Sequence, residues 1–305
     1  MDLVPTVRIG LSGWRYADWR GPFYPPGLPQ RRELEHVASV FPAVELNGSF
    51  YSLQRPSSFV AWREQTPEGF TFAVKGPRFV THMKRLRDVR TPLANFFASG
   101  VLALGDRLGP VLWQLPGRTT FDAALLEEFL ALLPRTTAEA ARLAGDHDDR
   151  LRAPAWTDVD ADRPLVHALE PRHESFASAE ALDLLRRHRV AFAISDGAGH
   201  WPLVEAVTSD LVYVRLHGDE ELYTSGYRPR VLDAWAERVR TWCEAGHDVE
   251  VYLDNDVHAH APADALALMT RLPDLALAGP GPAVEPAPRR RRAARPERGA
   301  GTAPR

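Results

Sequence analysis

Cysteine is almost missing from this chain: Cys243 stands alone, which excludes an internal disulfide and a cysteine-rich metal site. No apolar run reaches membrane-spanning length, and the opening MDLVPTVRIG lacks the pattern of a secretory leader. The expected location is therefore cytoplasmic, with no membrane partner. Neither GxxxxGK(S/T) nor GxGxxG occurs, which argues against nucleotides held in those modes, and no cofactor is expected. GxSxG and HExxH are absent too, against a nucleophile-elbow hydrolase and a compact zinc-protease site. Lysine is scarce: Lys75 and Lys84 stand against 35 arginines. A buried lysine can give up its proton where arginine cannot, so a lysine kept in such a chain suits work that arginine does not do. Two of only three asparagines, Asn47 and Asn255, fall at the ends of strand-like runs.

What is present is a chain of 305 residues, 45% hydrophobic and 25% charged, enough for one large α/β domain or two ordinary ones. The net charge of −3 hides an asymmetry. Residues 279–305 carry seven Arg against two Glu, so that +5 leaves −8 on residues 1–278. That Pro/Gly/Ala/Arg-rich segment has no apolar periodicity and is expected to be a disordered tail. An acidic body disfavours broad duplex binding by the domain, so nucleic acid is a possible partner but not the favoured one. Oligomeric state is left open.

Short β-rich runs alternate with helical patterns along residues 1–278. The strand candidates are 7–13, 43–47, 70–75, 110–116, 165–172, 190–196, 211–218 and 249–256. Residues 31–41, 121–133 and 230–246 carry apolar residues at helical spacing, the last closing on Gly246, and 177–188 and 262–272 read similarly. Eight alternating units predict a parallel sheet closed as a (β/α)8 TIM barrel, in a single domain. The longest gap lies between strands four and five, where residues 145–164 read as an extended polar connection, a lid or an insertion.

Side chains alternate along a strand, so parity sorts each run into two faces. One face is bulky and apolar: Val7/Ile9/Leu11, Phe70/Phe72/Val74, Val111/Trp113/Leu115, Val212/Val214/Leu216. The other begins small and ends polar, as in Ala73/Lys75, Ala168/Glu170 and Tyr213/Arg215/His217. The second face would line the barrel interior, bringing Glu45, Asn47, Lys75, Gln114, Glu170, Arg172, Arg215, His217 and Asp254 to the C-terminal mouth.

The segments SGWRYADWRGPFYP, VELNGSFY, KGPRFVTH, WQLP, EPRHESF, VRLHG and YLDND, in that order, resemble the YecE-like proteins, domain of unknown function family 72. The likeness spans about residues 7–275 and implies a TIM-barrel fold; it implies no reaction. Pro171, between Glu170 and Arg172, removes a backbone donor within one of these motifs.

Three carboxylates, Glu45, Glu170 and Asp254, balance Lys75, Arg172 and Arg215 in this layer, with His217 as a titratable seventh member. The groups either pair inside the barrel or form a site; a layer this polar is a poor way merely to hold a barrel together. The favoured reading is an enzyme binding a small anionic substrate, metal-free, by acid/base chemistry. Arg172 and Arg215 would grip carboxylate or phosphate, and Asn47, Gln114, Asp254, Tyr51, His82 and His173 complete the expected substrate contacts. Glu170 is the expected acid or base, with Glu45 as alternative. Lys75 would stabilise an oxyanion or form a Schiff base, and His82, His173 and His217 would shuttle protons. A metal-dependent phosphodiester hydrolase using Glu45, Glu170, His173, Asp196, His217 and Asp254 is the runner-up. A non-catalytic anion-binding protein is the third class. Trp14, Tyr16, Trp19, Phe23 and Tyr24 either wall a ligand or cap the barrel, with capping preferred.

Overall fold

In the computed structural model, which describes residues 5–281, the first strand pairs with both the second and the last. Residues 282–305 of the expected tail lie outside the described residues. Gly279 and Gly281 still belong to the folded body, donating from their backbone nitrogens to Val40 O and Ser39 O.

The strands are β1 (Val7–Ser12), β2 (Ala43–Leu46), β3 (Thr71–Lys75), β4 (Leu108–Gln114), β5 (His167–Glu170), β6 (Ala191–Phe192), β7 (Ile194–Asp196), β8 (Leu211–Leu216) and β9 (Asp248–Leu253). All their pairings are parallel, in the order β6-β5-β4-β3-β2-β1-β9-β8-β7. The expected sixth strand, 190–196, is thus two pieces meeting at Ala193. β6 pairs with β5 and β7 pairs with β8, so the segment passes from one neighbour to the other and itself completes the ring. Ala193 N donates to Leu169 O at the crossing. β5 stops at Glu170 because Pro171 supplies no donor.

Helices cover the outside: α1 (Glu33–Val40), α2 (Gly48–Tyr51), α3 (Pro56–Glu64), α4 (Arg90–Ala98), α5 (Ala123–Leu132), α6 (Thr137–Ala144), α7 (Ala179–Arg187), α8 (Pro229–Glu244) and α9 (His260–Met269). None is long and apolar enough to cross a membrane. α6 directly precedes the 145–164 connection and is not among the helices expected from the sequence. Thr136 Oγ1 caps its start by accepting from Glu139 N, and Glu139 Oε2 accepts from the backbone nitrogen of Arg135, just before the cap. The chain after α6 is fastened to the outer helices, with Trp156 N donating to Ala98 O and Asn95 bonding Asp148 in both directions.

The two faces separate as parity requires. Ile9, Phe72, Val74, Trp113 and Val214 join the helices in one core cluster, all fully buried, each apolar side chain contributing about 1.5–3 kcal/mol. Ala43, Ala73, Ala168, Ala191, Ala193, Leu112, Tyr213 and Tyr252 form a second cluster inside the ring. The alanines of β2, β3, β5 and β6 make room for the tyrosines of β8 and β9, whose rings lie 5.2 Å apart. Gly10 faces the same interior: a Cβ there would stand 2.3 Å from Ala43 O.

Candidate functional site

Above the alanine and tyrosine layer, the strand ends carry an ionic cluster centred on Arg215. Its Nη2 and Nε donate to the two oxygens of Glu45 at 2.7 and 2.9 Å, its Nη1 to Glu170 Oε2 at 2.9 Å, and Nη2 again to Asp254 Oδ2 at 2.7 Å. Ser12 Oγ donates to Glu45 Oε1 at 2.5 Å and accepts from Asn47 Nδ2 at 2.9 Å. Tyr213 OH donates to Glu45 Oε2 from the layer below at 2.7 Å. Each carboxylate removed from water is thereby compensated, as burial of charge demands.

Glu170 is held from a second side. Arg172 places Nε and Nη2 at 2.8 and 2.7 Å from Oε1, and Ser195 Oγ donates to the same oxygen at 3.1 Å. The Arg172 guanidinium lies 3.9 Å from the centre of the Trp201 ring, a cation–π contact that fixes its plane. Burial works to raise the Glu170 pKa, but Arg172, Arg215, His217 and Lys75 outweigh it and hold the group well below the usual carboxylate range. Asp254 behaves alike: burial opposes Arg215 and His217, which win. His217 is fully buried, with Nε2 3.0 Å from Ser195 Oγ and Nδ1 2.9 Å from Asp254 Oδ2, the latter off the line of a hydrogen bond. Burial and Arg215 lower its pKa.

Lys75 is the exception. It ends β3 with only 8% of its surface exposed, and its Nζ lies 4.5 Å from the centre of the Phe50 ring. Among the described residues it makes no ion pair and no side-chain hydrogen bond. Burial and the nearby Arg215 lower its pKa against the pull of Glu45, Glu170 and Asp254.

The fold therefore brings most of the expected residues together but changes their parts. Arg215, expected to grip a ligand, is fully buried with its donors spent on protein groups. Glu170 and Glu45, expected as acid or base, are fully buried too, and the cations around Glu170 hold its pKa well below the usual carboxylate range. Surface at the mouth belongs instead to Lys75, Arg172 at 12% and Asp254 at 13% side-chain exposure. Asn47 and Gln114 are partly buried at their strand ends, and Gln114 lies in register with Glu170. Asn47 Oδ1 is buried without a donor among the described residues. Its amide orientation follows from the network: the one Ser12 proton goes to Glu45, so Nδ2 must face Ser12. His82 sits edge-on to Phe50 at 5.1 Å; burial, with Arg78, Lys75 and Arg172, lowers its pKa. Tyr51 is 71% exposed, packing edge-on against Phe50 from outside. His173 turns away to accept from Ser175 N at 3.2 Å.

The metal-ligand set of the alternative reading does not form. Three of its carboxylates converge on a guanidinium, His173 caps a turn, and Asp196 accepts from Tyr227 OH at 3.1 Å. No group of three His, Cys, Asp or Glu among the described residues is arranged to hold a metal ion. The aromatic segment caps the barrel: Trp19 and Tyr24 are buried in the main core, and Trp19 Nε1 donates to Asp256 O. Tyr16 and Asn47 also line a cavity of about 250 Å³ beside the ionic cluster, with Gly13, Trp14, Gly48 and Trp62.

Sequence reasoning did not single out Trp201 and Tyr223, which stand over His217 edge-on at 5.2 and 5.4 Å. They lie in loops, where strand parity gives no signal.

The family described as "Protein of unknown function DUF72" matches residues 8–289. The UPF0759 protein YunF of Bacillus subtilis (strain 168) is 38% identical over 115 residues, covering 36% of this chain and 40% of that protein. The UPF0759 protein YecE of Escherichia coli (strain K12) is 33% identical over 131 residues, or 42% and 44%. The chain thus spans less than half the length of each of these relatives. The crystal structure of a DUF72 family protein from Thermotoga maritima is 26% identical, with a TM-score of 0.71, covering 88% of this chain and 100% of that one.

Proposed function

Because the chain belongs to the DUF72 family, we propose from the geometry of its barrel mouth that it is an enzyme acting on a small anionic molecule. In this reading Arg172 meets the carboxylate or phosphate and Lys75 supplies the reactive amine. The observation that carries it is the setting of Lys75: the carboxylates are tied into ion pairs around Arg215, while among the described residues this amine has no ion pair and lies against the Phe50 ring. Burial and Arg215 lower the proton affinity of this amine, so it gives up its proton more readily than an ordinary lysine, whereas Glu170 is held well below the usual carboxylate range. Arg172, braced by Glu170 and flattened on Trp201, is preorganised for a planar anion. Arg215 and Glu45 support the site from beneath.

Thermal-shift screening against carboxylates, phosphates and sugar acids tests this, since a ligand at a hundred times its Kd adds about 2.7 kcal/mol to native stability. At least one anion should raise Tm in the native protein and lose its effect in Arg172→Met. Lys75→Met should keep the ligand and abolish its conversion. Shifts that all survive Arg172→Met would sink the assignment, and binding without turnover would make the protein a sensor.

A further inference from the structure

We propose that Lys75 is a nucleophile that forms an imine with its substrate, which makes the substrate an anionic aldehyde or ketone. The inference rests on the anion site proposed at Arg172 and names the reacting group of the ligand held there.

The position is suited to it. β3 ends at Lys75, and its backbone is fixed on both sides: Ser49 Oγ donates to Lys75 O at 2.7 Å, and Gly76 N donates to Leu112 O at 2.8 Å. The side chain therefore leaves a rigid strand rather than a loop. Its amine lies against the Phe50 face, with no carboxylate in ion-pair range among the described residues. Burial beside a second cation, here Arg215, is an arrangement that frees a lysine lone pair for attack. The other lysine, Lys84, is by contrast partly exposed and lies 3.8 Å from Asp88. Arginine, which supplies 35 of the chain's 37 basic side chains, lacks the free amine that imine formation requires.

The step balances without a co-reactant. The Nζ lone pair attacks the carbonyl carbon and the π pair moves to oxygen. One N–H proton crosses to that oxygen, giving a carbinolamine. The C–O bond then breaks, the second N–H proton leaves with the oxygen as water, and the C=N bond forms. His82, whose ring packs against the same Phe50 side chain as the Lys75 amine, is the base assigned to moving the first proton.

The test uses the full chain, incubated separately with pyruvate, glyoxylate, dihydroxyacetone phosphate and fructose 6-phosphate, each with sodium borohydride, followed by peptide mass mapping. Reduction should fix one ligand, less the oxygen lost as water, on Lys75, at about tenfold or more the level on Lys84, the internal control for random labelling. The adduct should vanish in Lys75→Arg and weaken in Arg172→Met. Adduct on the two 2-oxo acids alone makes the anion a carboxylate; adduct on the sugar phosphates alone makes it a phosphate. Equal labelling of both lysines, or none at Lys75, overturns the imine. Thermal shift with the same four compounds separates the failures: Arg172-dependent binding without adduct removes only the imine. No Arg172-dependent binding here or in the wider anion screen removes the anion site as well.

Discussion

Arg215 clasps both carboxylate oxygens of Glu45, Nη2 on Oε1 at 2.7 Å and Nε on Oε2 at 2.9 Å, with neither side chain reaching solvent. A fork so engaged leaves its remaining nitrogen for Glu170. The pair turns the barrel mouth into a fixed electrostatic platform, and what touches a ligand must be drawn from the groups around its rim.

Removing that guanidinium strands three carboxylates in the interior. Arg215→Met should lose about 3–5 kcal/mol of stability, or fail to accumulate, and Arg215→Met combined with Glu45→Met should recover part of the loss. Urea denaturation measures both; a single-variant change below about 1 kcal/mol would contradict the platform.

Lys75 should cost stability where it serves chemistry. Its folded pKa is lowered, so the unfolded chain binds the extra proton; the penalty is full below the folded value and is relieved as pH rises toward the ordinary 10.5. Lys75→Met should therefore stabilise the protein at neutral pH by about 0.5–2 kcal/mol and flatten the rise of stability with alkaline pH. A destabilised variant would show that the amine was needed for packing.

His167 gives a separate acid signature. Trp113 Nε1 donates to its Nδ1 at 3.2 Å, so Nε2 carries the proton to Pro134 O at 2.7 Å. Burial lowers its pKa from 6.5 to about 4. The unfolded chain then binds the proton first as pH falls, and about 3 kcal/mol should be lost between pH 6.5 and 4. His167→Gln should remove that slope. Glu170 and Asp254, with depressed folded pKa values, hold their contribution above the ordinary carboxylate range and lose it only further into acid. Stability measured across that window distinguishes the two effects.

Gly10 tests the ring itself. An inward methyl would meet Ala43 O at 2.3 Å, and backbone cannot step aside as a side-chain tip can. Gly10→Ala should cost about 1–3 kcal/mol by thermal or chemical unfolding. A neutral result would mean that β1 and β2 are not so closely apposed.

Much of this architecture is local information. Alternation of Ala43 with Val44, or Ala73 with Val74, assigns each side chain a face before any contact is known, because a strand has period two. The same parity sent Glu45, Lys75, Glu170, Arg215 and Asp254 to one end of the interior. Short elements were harder to read. α6 was not expected: its eight residues span barely two turns, too few for a clear helical period. The division of the sixth strand at Ala193 leaves no trace in its own residues, since it follows from which neighbour each half meets.

The sequence by itself thus determined the ring, its two faces and the inventory of charges at its mouth, because these depend on spacings of a few residues. Tertiary structure alone decided which charges are spent and which are free. Arg215 reaches Glu45 across 170 positions of chain and Glu170 across 45, while Lys75, equally inward, has no ion pair among the described residues. Pairing is a matter of ångströms between strand ends, and only closure of the barrel brings those ends together.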